Sequence, residues 1–315
     1  MNDPRAAALQ LCPFSDYLEV QLRARFEVIR WFELSEPERA AWLKQRAASV
    51  RAVITGGQFG ISNELMQALP SLGMITINGV GVDKVDLQLA RSRGVRVTTT
   101  PGTLTDDVAD LAIGLIIGLL RNIPAADAYL RAGRWPKGEY PLARKVSGRR
   151  FGVVGLGAIG LAIAGRLAAF GPVAYTGPRQ KPVPYEFHPD VVTLAKASDV
   201  LVLACPANAS TRHLIDAAVL DALGADGYLI NVARGAVVDE TALIAALEEG
   251  RLAGAALDVF ENEPHVPEAL RASSKVVLTP HVASATVETR VQMADLILEN
   301  LDALIHGTPP PTAVV

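Results

Sequence analysis

A glycine-rich turn between a short apolar run and an amphipathic stretch is the feature that most constrains how this chain can fold. The apolar run Phe151–Val154 leads into Gly155-Leu-Gly-Ala-Ile-Gly160, and a helical pattern covers residues 159–170. In a parallel α/β sheet the first glycine of such a turn allows the tight bend, and the second lets the backbone approach a pyrophosphate. The following helix N-terminus adds N–H donors. Unless the glycines serve close packing alone, the sequence predicts dinucleotide contacts along Gly155, Leu156, Gly157, Ala158, Ile159 and Gly160.

Apolar runs alternate with helical patterns along the chain, which is typical of parallel sheets covered by helices. The predicted strands of a first series lie at residues 8–11, 26–32, 50–54, 74–77 and 95–97. Those of a second, larger series lie at residues 150–154, 173–175, 191–192, 200–204, 228–232, 254–259 and 275–278. The sequence therefore predicts an α/β protein with two doubly wound parallel-sheet domains.

The two ends of the chain are expected to share one domain. The last predicted helix, at about residues 287–305, has no strand after it and needs a partner surface, for which the first series of strands is the candidate. We therefore predict a substrate-binding domain made of residues 1–99 and 285–315. The dinucleotide-binding domain, residues 100–284, is inserted between its two parts.

Charge and apolar content exclude several classes of partner. The 315 residues carry a formal net charge of −3 with a pI near 6.0, which leaves no electrostatic footprint for nucleic acid. The first residues lack the apolar core of a secretory signal, and the apolar stretch at residues 111–120 is too short to cross a bilayer. We expect a cytoplasmic protein without a nucleic acid or membrane partner.

The cysteine content is low. The two cysteines, Cys12 and Cys205, lie far apart in different sequence contexts, which argues against a disulfide framework and against a cysteine-rich metal site. We interpret both as free thiols and predict no bound metal.

Three further polar clusters begin where a predicted strand ends. They are Asn231-Val-Ala-Arg234-Gly235, Glu261-Asn-Glu263-Pro264 and Thr279-Pro-His281. Ligands of open parallel sheets bind outside the carboxyl ends of the strands, so these clusters are expected to converge with the glycine turn on one pocket.

The side chains of these clusters suit hydride transfer to a small 2-oxo acid. The guanidinium of Arg234 is always charged, and its planar fork matches a carboxylate with two hydrogen bonds. Imidazole is the side-chain group suited to proton transfer near neutrality, so His281 can donate a proton to an alkoxide, while Glu263 would hold it in one tautomer. Arg234, Glu263 and His281 are therefore the predicted catalytic residues.

The segment after the second predicted strand of the nucleotide domain bears on the choice of cofactor. NAD sites usually place an acid about 20 residues beyond the first glycine. Residues 174–181 contain no carboxylate and carry two cations, Arg179 and Lys181. Because a guanidinium holds a 2′-phosphate, the segment Gly177-Pro-Arg179 favours NADPH. NAD is the alternative if both cations lie on a solvated loop tip.

The four motifs resemble, in the same order, the signatures of the D-isomer-specific 2-hydroxyacid dehydrogenases, and the resemblance covers nearly the whole chain. The matching segments are Gly155-Leu-Gly-Ala-Ile-Gly160, Asn231-Val-Ala-Arg-Gly235, Leu257-Asp-Val-Phe-Glu-Asn-Glu-Pro264 and Thr279-Pro-His-Val-Ala-Ser284. Residues 104–114 and 286–290 are similar to the branch of hydroxyphenylpyruvate and glyoxylate/hydroxypyruvate reductases. The resemblance implies a Rossmann-type domain inserted in a flavodoxin-like domain, and reduction of a 2-oxo acid to the D-2-hydroxy acid with NADPH.

Several site residues are implied by the resemblance alone. The implied roles are a substrate-carboxylate contact for the backbone of Val80 and Gly81, a nicotinamide contact for Asp258, Val232 and Ala233, and an adenosine contact for Cys205 and Pro206. His281 would also contact the cofactor. The family further implies a homodimer through the nucleotide domain, with the segment around Trp135 as the arm that reaches the partner.

The chain departs from the family pattern at the ribose phosphate. Similar NADPH-dependent reductases carry a Ser-Arg-Ser type sequence there, whereas this chain has Gly177-Pro178-Arg179. The departure moves the arginine by one residue and removes two hydroxyls.

Other functions of the same fold stay open as alternatives. A formate dehydrogenase would replace the acid partner of the histidine with glutamine, which Glu263 contradicts. A phosphoglycerate dehydrogenase of the longer type needs an added regulatory domain, and a D-lactate type would differ in its 2-oxo acid. A dinucleotide-sensing corepressor would keep the catalytic residues but act as a binding module.

Overall fold

The computed structural model describes residues 6–315. The first five residues lie outside the described part. The predicted absence of a secretory signal and the predicted start of the first domain both involve these residues. The chain divides into two compact units. One comprises the residues up to Leu104 together with Ala285–Val315, and the other is Thr105–Ser284. The first crossing between the units falls after Leu104, whereas the sequence predicted it after residue 99.

Two parallel sheets form the centres of the units. The strands are β1 (Ala7–Gln10), β2 (Glu27–Arg30), β3 (Val50–Gly56), β4 (Met74–Asn78), β5 (Arg96–Thr98), β6 (Phe151–Val154), β7 (Val173–Thr176), β8 (Glu186–His188), β9 (Val200–Leu203), β10 (Tyr228–Asn231), β11 (Gly254–Leu257) and β12 (Val276–Leu278). The first sheet has the order β2-β1-β3-β4-β5, which is flavodoxin-like. The second has the order β8-β7-β6-β9-β10-β11-β12. Its strand order reverses between β6 and β9, as in dinucleotide-binding domains.

Helices cover the faces of both sheets. They are α1 (Asp16–Arg25), α2 (Glu36–Arg46), α3 (Asn63–Ala68), α4 (Leu87–Ser92), α5 (Thr105–Leu120), α6 (Ile123–Arg131), α7 (Ala158–Leu167), α8 (Val191–Lys196), α9 (Ala217–Leu223), α10 (Glu240–Glu248), α11 (Glu268–Ala272) and α12 (Val287–His306). Short 3-10 helices lie at Trp31–Glu33, Ala47–Ser49, Trp135–Lys137 and Gly235–Val237. The fold class predicted from the sequence, two parallel-sheet α/β domains, is confirmed.

Burial on both faces explains the continuous apolar runs of the first sheet. Side chains of a strand point alternately to opposite faces. Ile54 of β3 therefore joins a core with Leu22 of α1 and Ile297 of α12, whereas Val53 joins the core on the other face with Met66 of α3. The last helix thus belongs to the first unit, which is where its unpartnered position in the sequence predicted it.

The apolar helix α5 packs on the sheet of the second unit. Its buried positions include Ala112, Leu115 and Leu119, and it packs against α7 and the strands β10 to β12. Helices α8 to α10 contribute to a core that also contains β9 and β10 residues. Within residues 6–315 no single helix is long and apolar enough to cross a bilayer; α5 and α6 reach that length only as a pair bent by 60°.

One predicted strand is wrong. Residues 191–192 begin α8, and the edge strand is Glu186–His188 instead. The Asp190 side chain accepts the backbone N–H of Thr193 at 2.8 Å and so starts the helix, while Val191, Leu194 and Ala195 face the core. Two adjacent valines are too short a pattern to separate a strand from the buried face of a helix.

Candidate active site

The glycine turn between β6 and α7 has the geometry of a pyrophosphate site. Gly155 has a φ of +88°, and a Cβ there would lie 2.7 Å from the Cα of Cys205. A Cβ on Gly160 would run into the Gly155 carbonyl oxygen, so both positions need glycine for packing. At Gly157, by contrast, a Cβ would meet no heavy atom of the described residues within 4 Å. The turn therefore leaves open space at the middle glycine, at the N-terminus of α7.

A cavity of about 670 Å³ lies against this turn within the second unit. Gly155, Leu156 and Gly157 line it, together with Gly177, Cys205 and Pro206. The size is typical of a cofactor pocket. Burial raises the pKa of the Cys205 thiol to about 11, so Cys205 is a neutral wall of the pocket rather than a nucleophile.

Two cations of the β7–β8 connection line the same cavity. They are Arg179 and Lys181. The backbone N–H of Lys181 donates to the hydroxyl of Tyr175 at 2.6 Å, and its ammonium donates to the Leu156 carbonyl at 2.6 Å. Asp190 also borders the cavity, but its carboxylate caps α8. The cations predicted from the sequence therefore face the pocket.

Arg234 follows β10, in a turn that Asn231 shapes. The Asn231 side chain is buried; its oxygen accepts the Ala233 N–H, and its NH₂ donates to the Arg234 carbonyl, both at 3.0 Å. The guanidinium of Arg234 donates to the Ala233 carbonyl at 2.8 Å. Val232 and Ala233 are buried beside it. Sequence reasoning missed the role of Asn231, although an Asn that bonds its own turn two residues on is a local signal.

Glu263 and His281 form a hydrogen-bonded pair. The Nδ1 atom of His281 lies 2.7 Å from the Glu263 Oε2, and both side chains are about three-quarters buried. The other carboxylate oxygen of Glu263 accepts the Phe260 N–H at 3.0 Å. Burial acts to raise the pKa of Glu263, but the His281 contact and the charge of Arg234 outweigh it and hold the pKa below its ordinary value. Because an ionised carboxylate can only accept, the Nδ1 atom of His281 is the donor of this hydrogen bond.

Asp258 shapes the turn that presents His281. Its carboxylate is fully buried and accepts the Thr279 hydroxyl at 2.6 Å, the Val282 N–H at 2.9 Å and the Ala283 N–H at 3.0 Å. His281 has a left-handed φ of +53° within this turn. Burial raises the pKa of Asp258. The resemblance implied only a nicotinamide contact, which stays a prediction; the turn-forming role was missed.

Ala158 and Ile159 begin α7 in the second unit, whereas the two residues predicted to contact the substrate through their backbone lie in the first unit. Val80 and Gly81 follow β4 at the carboxyl edge of the first sheet, and the Val80 residue is 38% exposed. Their contact with substrate stays a prediction. Among residues 6–315, no group of three or more His, Cys, Asp or Glu side chains is arranged to hold a metal ion.

A dinucleotide turn and an acid-imidazole pair on a doubly wound sheet define a nucleotide-dependent oxidoreductase. The family model for the D-isomer specific 2-hydroxyacid dehydrogenase NAD binding domain matches residues 113–283, more than half of the chain. The chain therefore belongs to the D-isomer-specific 2-hydroxyacid dehydrogenase family. The family and enzyme class predicted from the sequence are confirmed.

Individual relatives match over nearly the full length. Glyoxylate/hydroxypyruvate reductase A of Arabidopsis thaliana is 50% identical over 309 residues, 98% of each chain. Hydroxyphenylpyruvate reductase of Plectranthus scutellarioides is also 50% identical over 309 residues and the same share of each chain. The solved structure of an NADPH-dependent glyoxylate/hydroxypyruvate reductase from Sinorhizobium meliloti, in complex with NADP and malonate, has a TM-score of 0.92 at 42% identity and covers 99% of this chain and 97% of its own.

Proposed function

We propose that the protein reduces a small 2-oxo acid to the D-2-hydroxy acid with NADPH. Glyoxylate, hydroxypyruvate and hydroxyphenylpyruvate are the candidate substrates, because the relatives of 50% identity carry the names of reductases for these compounds. The observation that carries the proposal is the 2.7 Å contact between Glu263 and His281, with the charge of Arg234 acting on the same carboxylate.

The cofactor would lie along the glycine turn. The open space at Gly157 fits a pyrophosphate, and the N–H groups at the start of α7 have no side-chain cap among the described residues. Cys205 and Pro206 would contact the adenosine, and Val232, Ala233 and Asp258 the nicotinamide amide. When bound, NADPH supplies the hydride that adds to the keto carbon of the substrate.

Arg234 would bind and orient the 2-oxo acid. Its planar guanidinium can hold the substrate carboxylate and polarise the adjacent carbonyl, which a lysine point charge cannot reproduce. The Asn231 contacts fix the turn from which it projects. The backbone N–H groups of Val80 and Gly81 are proposed as the second set of carboxylate contacts.

His281 would supply the proton. Because its Nδ1 is paired with Glu263, Nε2 is the atom that donates to the oxygen of the developing alkoxide. The negative charge of Glu263 stabilises the imidazolium before transfer and keeps the Nδ1–H tautomer after it. In the oxidation direction Nε2 takes the proton back.

A preference for NADPH rests on the charge of the cavity wall. Arg179 and Lys181 line the cavity, and the Asp190 carboxylate is engaged at the start of α8. A 2′-phosphate would therefore meet cations. We expect a higher kcat/KM with NADPH than with NADH, and a strong preference for NADH would refute this role of Arg179.

A cytoplasmic homodimer completes the proposal. The segment from α6 onward exposes large apolar side chains, with Ile123 at 51%, Leu130 at 54%, Trp135 at 66% and Leu142 at 98%. A contiguous apolar patch marks an interaction site, and we propose that these side chains form such a patch at the dimer interface. Light scattering after size-exclusion chromatography should give twice the mass of the chain, and Trp135→Asp should shift it toward the monomer.

One assay separates the enzyme from a corepressor-like binding module. The loss of NADPH absorbance is measured with glyoxylate, hydroxypyruvate, hydroxyphenylpyruvate and pyruvate. Turnover of at least one of the first three supports the reductase, whereas cofactor binding without turnover of any 2-oxo acid favours the binding module. Pyruvate as the best substrate would favour a D-lactate type enzyme.

A further inference from the structure

A buried carboxylate lies behind the backbone turn that carries Glu263. Glu240, the first residue of α10, is only 8% exposed. Its Oε1 accepts the backbone N–H of Glu261 at 2.7 Å. None of the sequence motifs assigned it a role, and it has no direct contact with Glu263 or His281 among its hydrogen bonds.

The peptide between Phe260 and Glu261 is held from a second direction. A Cβ on Gly235 would run into the carbonyl group of Phe260 and the amide of Glu261, so the turn after Arg234 packs directly on this peptide. The peptide is thus fixed by close packing at Gly235 and by the hydrogen bond to Glu240. Both contacts lie within the second unit.

The same peptide segment aims the catalytic acid. The Phe260 N–H donates to Glu263 Oε1 at 3.0 Å, and Glu263 Oε2 holds His281 Nδ1 at 2.7 Å. A displacement of the Phe260–Glu261 peptide would therefore move the donor that orients the Glu263 carboxylate. A chain of hydrogen bonds and backbone thus connects Glu240 to His281 through the Glu261 amide and the Phe260–Glu263 turn.

Burying the carboxyl group of Glu240 at this position is energetically unfavourable, which argues that its side-chain oxygen has a specific structural role. Burial and the nearby charges of Glu261 and Glu263 raise its pKa, so the site disfavours a carboxylate. An apolar side chain would avoid this cost but would leave the Glu261 N–H without its acceptor. A side-chain oxygen is what this position requires.

We propose that Glu240 is a positioning residue for the Glu263–His281 pair, acting through the Glu261 amide to fix the turn from Phe260 to Glu263. This inference rests on the proposed reduction, in which His281 donates the proton. It assigns to α10 a function in the reaction that the catalytic motifs do not contain.

The test compares two substitutions of one residue. Glu240→Gln keeps a side-chain oxygen for the Glu261 N–H, whereas Glu240→Leu removes it. With hydroxypyruvate and NADPH, Glu240→Leu should lower kcat by about 10- to 100-fold, because mispositioning by about 1 Å costs roughly 100-fold. Its Kd for NADPH should stay within about twofold of the wild type, and Glu240→Gln should recover most of the kcat. If Glu240→Leu does not fold, Glu240→Ala makes the same comparison.

A matched control separates positioning from stability. The side chain of Asp239, the preceding residue, accepts the Ala242 N–H at 3.1 Å and caps the same helix, and within residues 6–315 it makes no hydrogen bond to the Phe260–Glu261 peptide. Asp239→Ala should lower the melting temperature and leave kcat unchanged. An equal fall of kcat in Asp239→Ala and Glu240→Leu would overturn the proposal in favour of a general loss of stability.

A double-mutant cycle tests whether Glu240 acts on the reaction through Glu263. If Glu240 acts through Glu263, Glu240→Leu should reduce kcat by less than about twofold in a Glu263→Gln background. Full additivity, an unchanged kcat in Glu240→Leu, or an equal loss in Glu240→Gln would overturn the inference while the reductase activity stands. A wild-type protein that reduces no 2-oxo acid would overturn both the proposed function and this inference.

Discussion

The middle glycine of the dinucleotide turn offers a test that separates cofactor binding from stability. Gly157 has φ −73° and ψ −162°, an extended conformation that alanine adopts without strain. Alanine is a poorer N-cap than glycine, which destabilises the helix. It also lowers the entropy of the unfolded chain, which stabilises the protein by about 0.4–1 kcal/mol, so the two effects oppose each other. We expect Gly157→Ala to change the free energy of unfolding by less than about 1 kcal/mol.

The effect on NADPH binding should be much larger. The new methyl group would occupy the open space in front of Gly157, where the pyrophosphate is proposed to lie. A hydrogen bond to a charged group contributes about 1.5–3 kcal/mol, so the loss of one N–H···phosphate contact weakens binding about 10- to 100-fold. Titration of the intrinsic fluorescence with NADPH measures the Kd, and thermal unfolding without cofactor measures stability.

Gly160→Ala is the matched comparison. Its Cβ would run into the Gly155 carbonyl oxygen, so this substitution should destabilise the second unit by about 1–3 kcal/mol. We therefore expect Gly157→Ala to lose affinity for NADPH and Gly160→Ala to lose stability. A Gly157→Ala protein with the wild-type Kd for NADPH would refute the placement of the pyrophosphate at this turn.

Three further substitutions test the catalytic loops. His281→Ala should lower kcat by about 100- to 10,000-fold with the Kd for NADPH nearly unchanged, and a Kd that rises in parallel would contradict a role in proton transfer. Arg234→Lys should raise KM and lower kcat for hydroxypyruvate, because a point charge cannot replace the fork; unchanged kinetics would remove this assignment. The pKa of Glu263 lies below its ordinary value of 4.5, so its ionised form stabilises the fold above that pH and the stabilisation is lost as the pH falls through the lower folded value. Glu263→Gln should therefore flatten the acid limb of stability measured by urea unfolding, and an unchanged limb would contradict it.

The positions of the proposed catalytic residues could be predicted because each of these residues follows a strand end. Arg234, Glu263 and His281 come after β10, β11 and β12, whose apolar runs are visible in the sequence. Parallel strands place their carboxyl ends on one edge, so sequence order alone predicted that Glu263 and His281 meet. The structure confirms that contact at 2.7 Å.

The supporting residues could not be predicted in the same way. Asp258 accepts hydrogen bonds from residues more than 20 positions further along the chain, and Glu240 accepts one from Glu261, 21 positions away. No local pattern records such partners, because they depend on how a loop after one strand packs on the next. The wrong strand at residues 191–192 has a different cause. Two apolar residues are too few to show whether the pattern repeats with the period of a strand or of a helix.

Environment, rather than residue type, gives the three acids behind His281 their different roles. Asp258 accepts three hydrogen bonds from neutral donors and also lies near the charge of His281, yet its pKa is raised, because the burial of its carboxylate outweighs both. Burial acts to raise the pKa of Glu263 as well, but the hydrogen bond to His281, the Phe260 N–H and the charges of His281 and Arg234 outweigh it, so its pKa is lowered. Burial and the nearby charges of Glu261 and Glu263 raise the pKa of Glu240, and no cation in the described part of the chain offsets them. The direct hydrogen bond to His281 therefore distinguishes Glu263 from the other two acids, and its lowered pKa keeps a negative charge on the acid that contacts the ring.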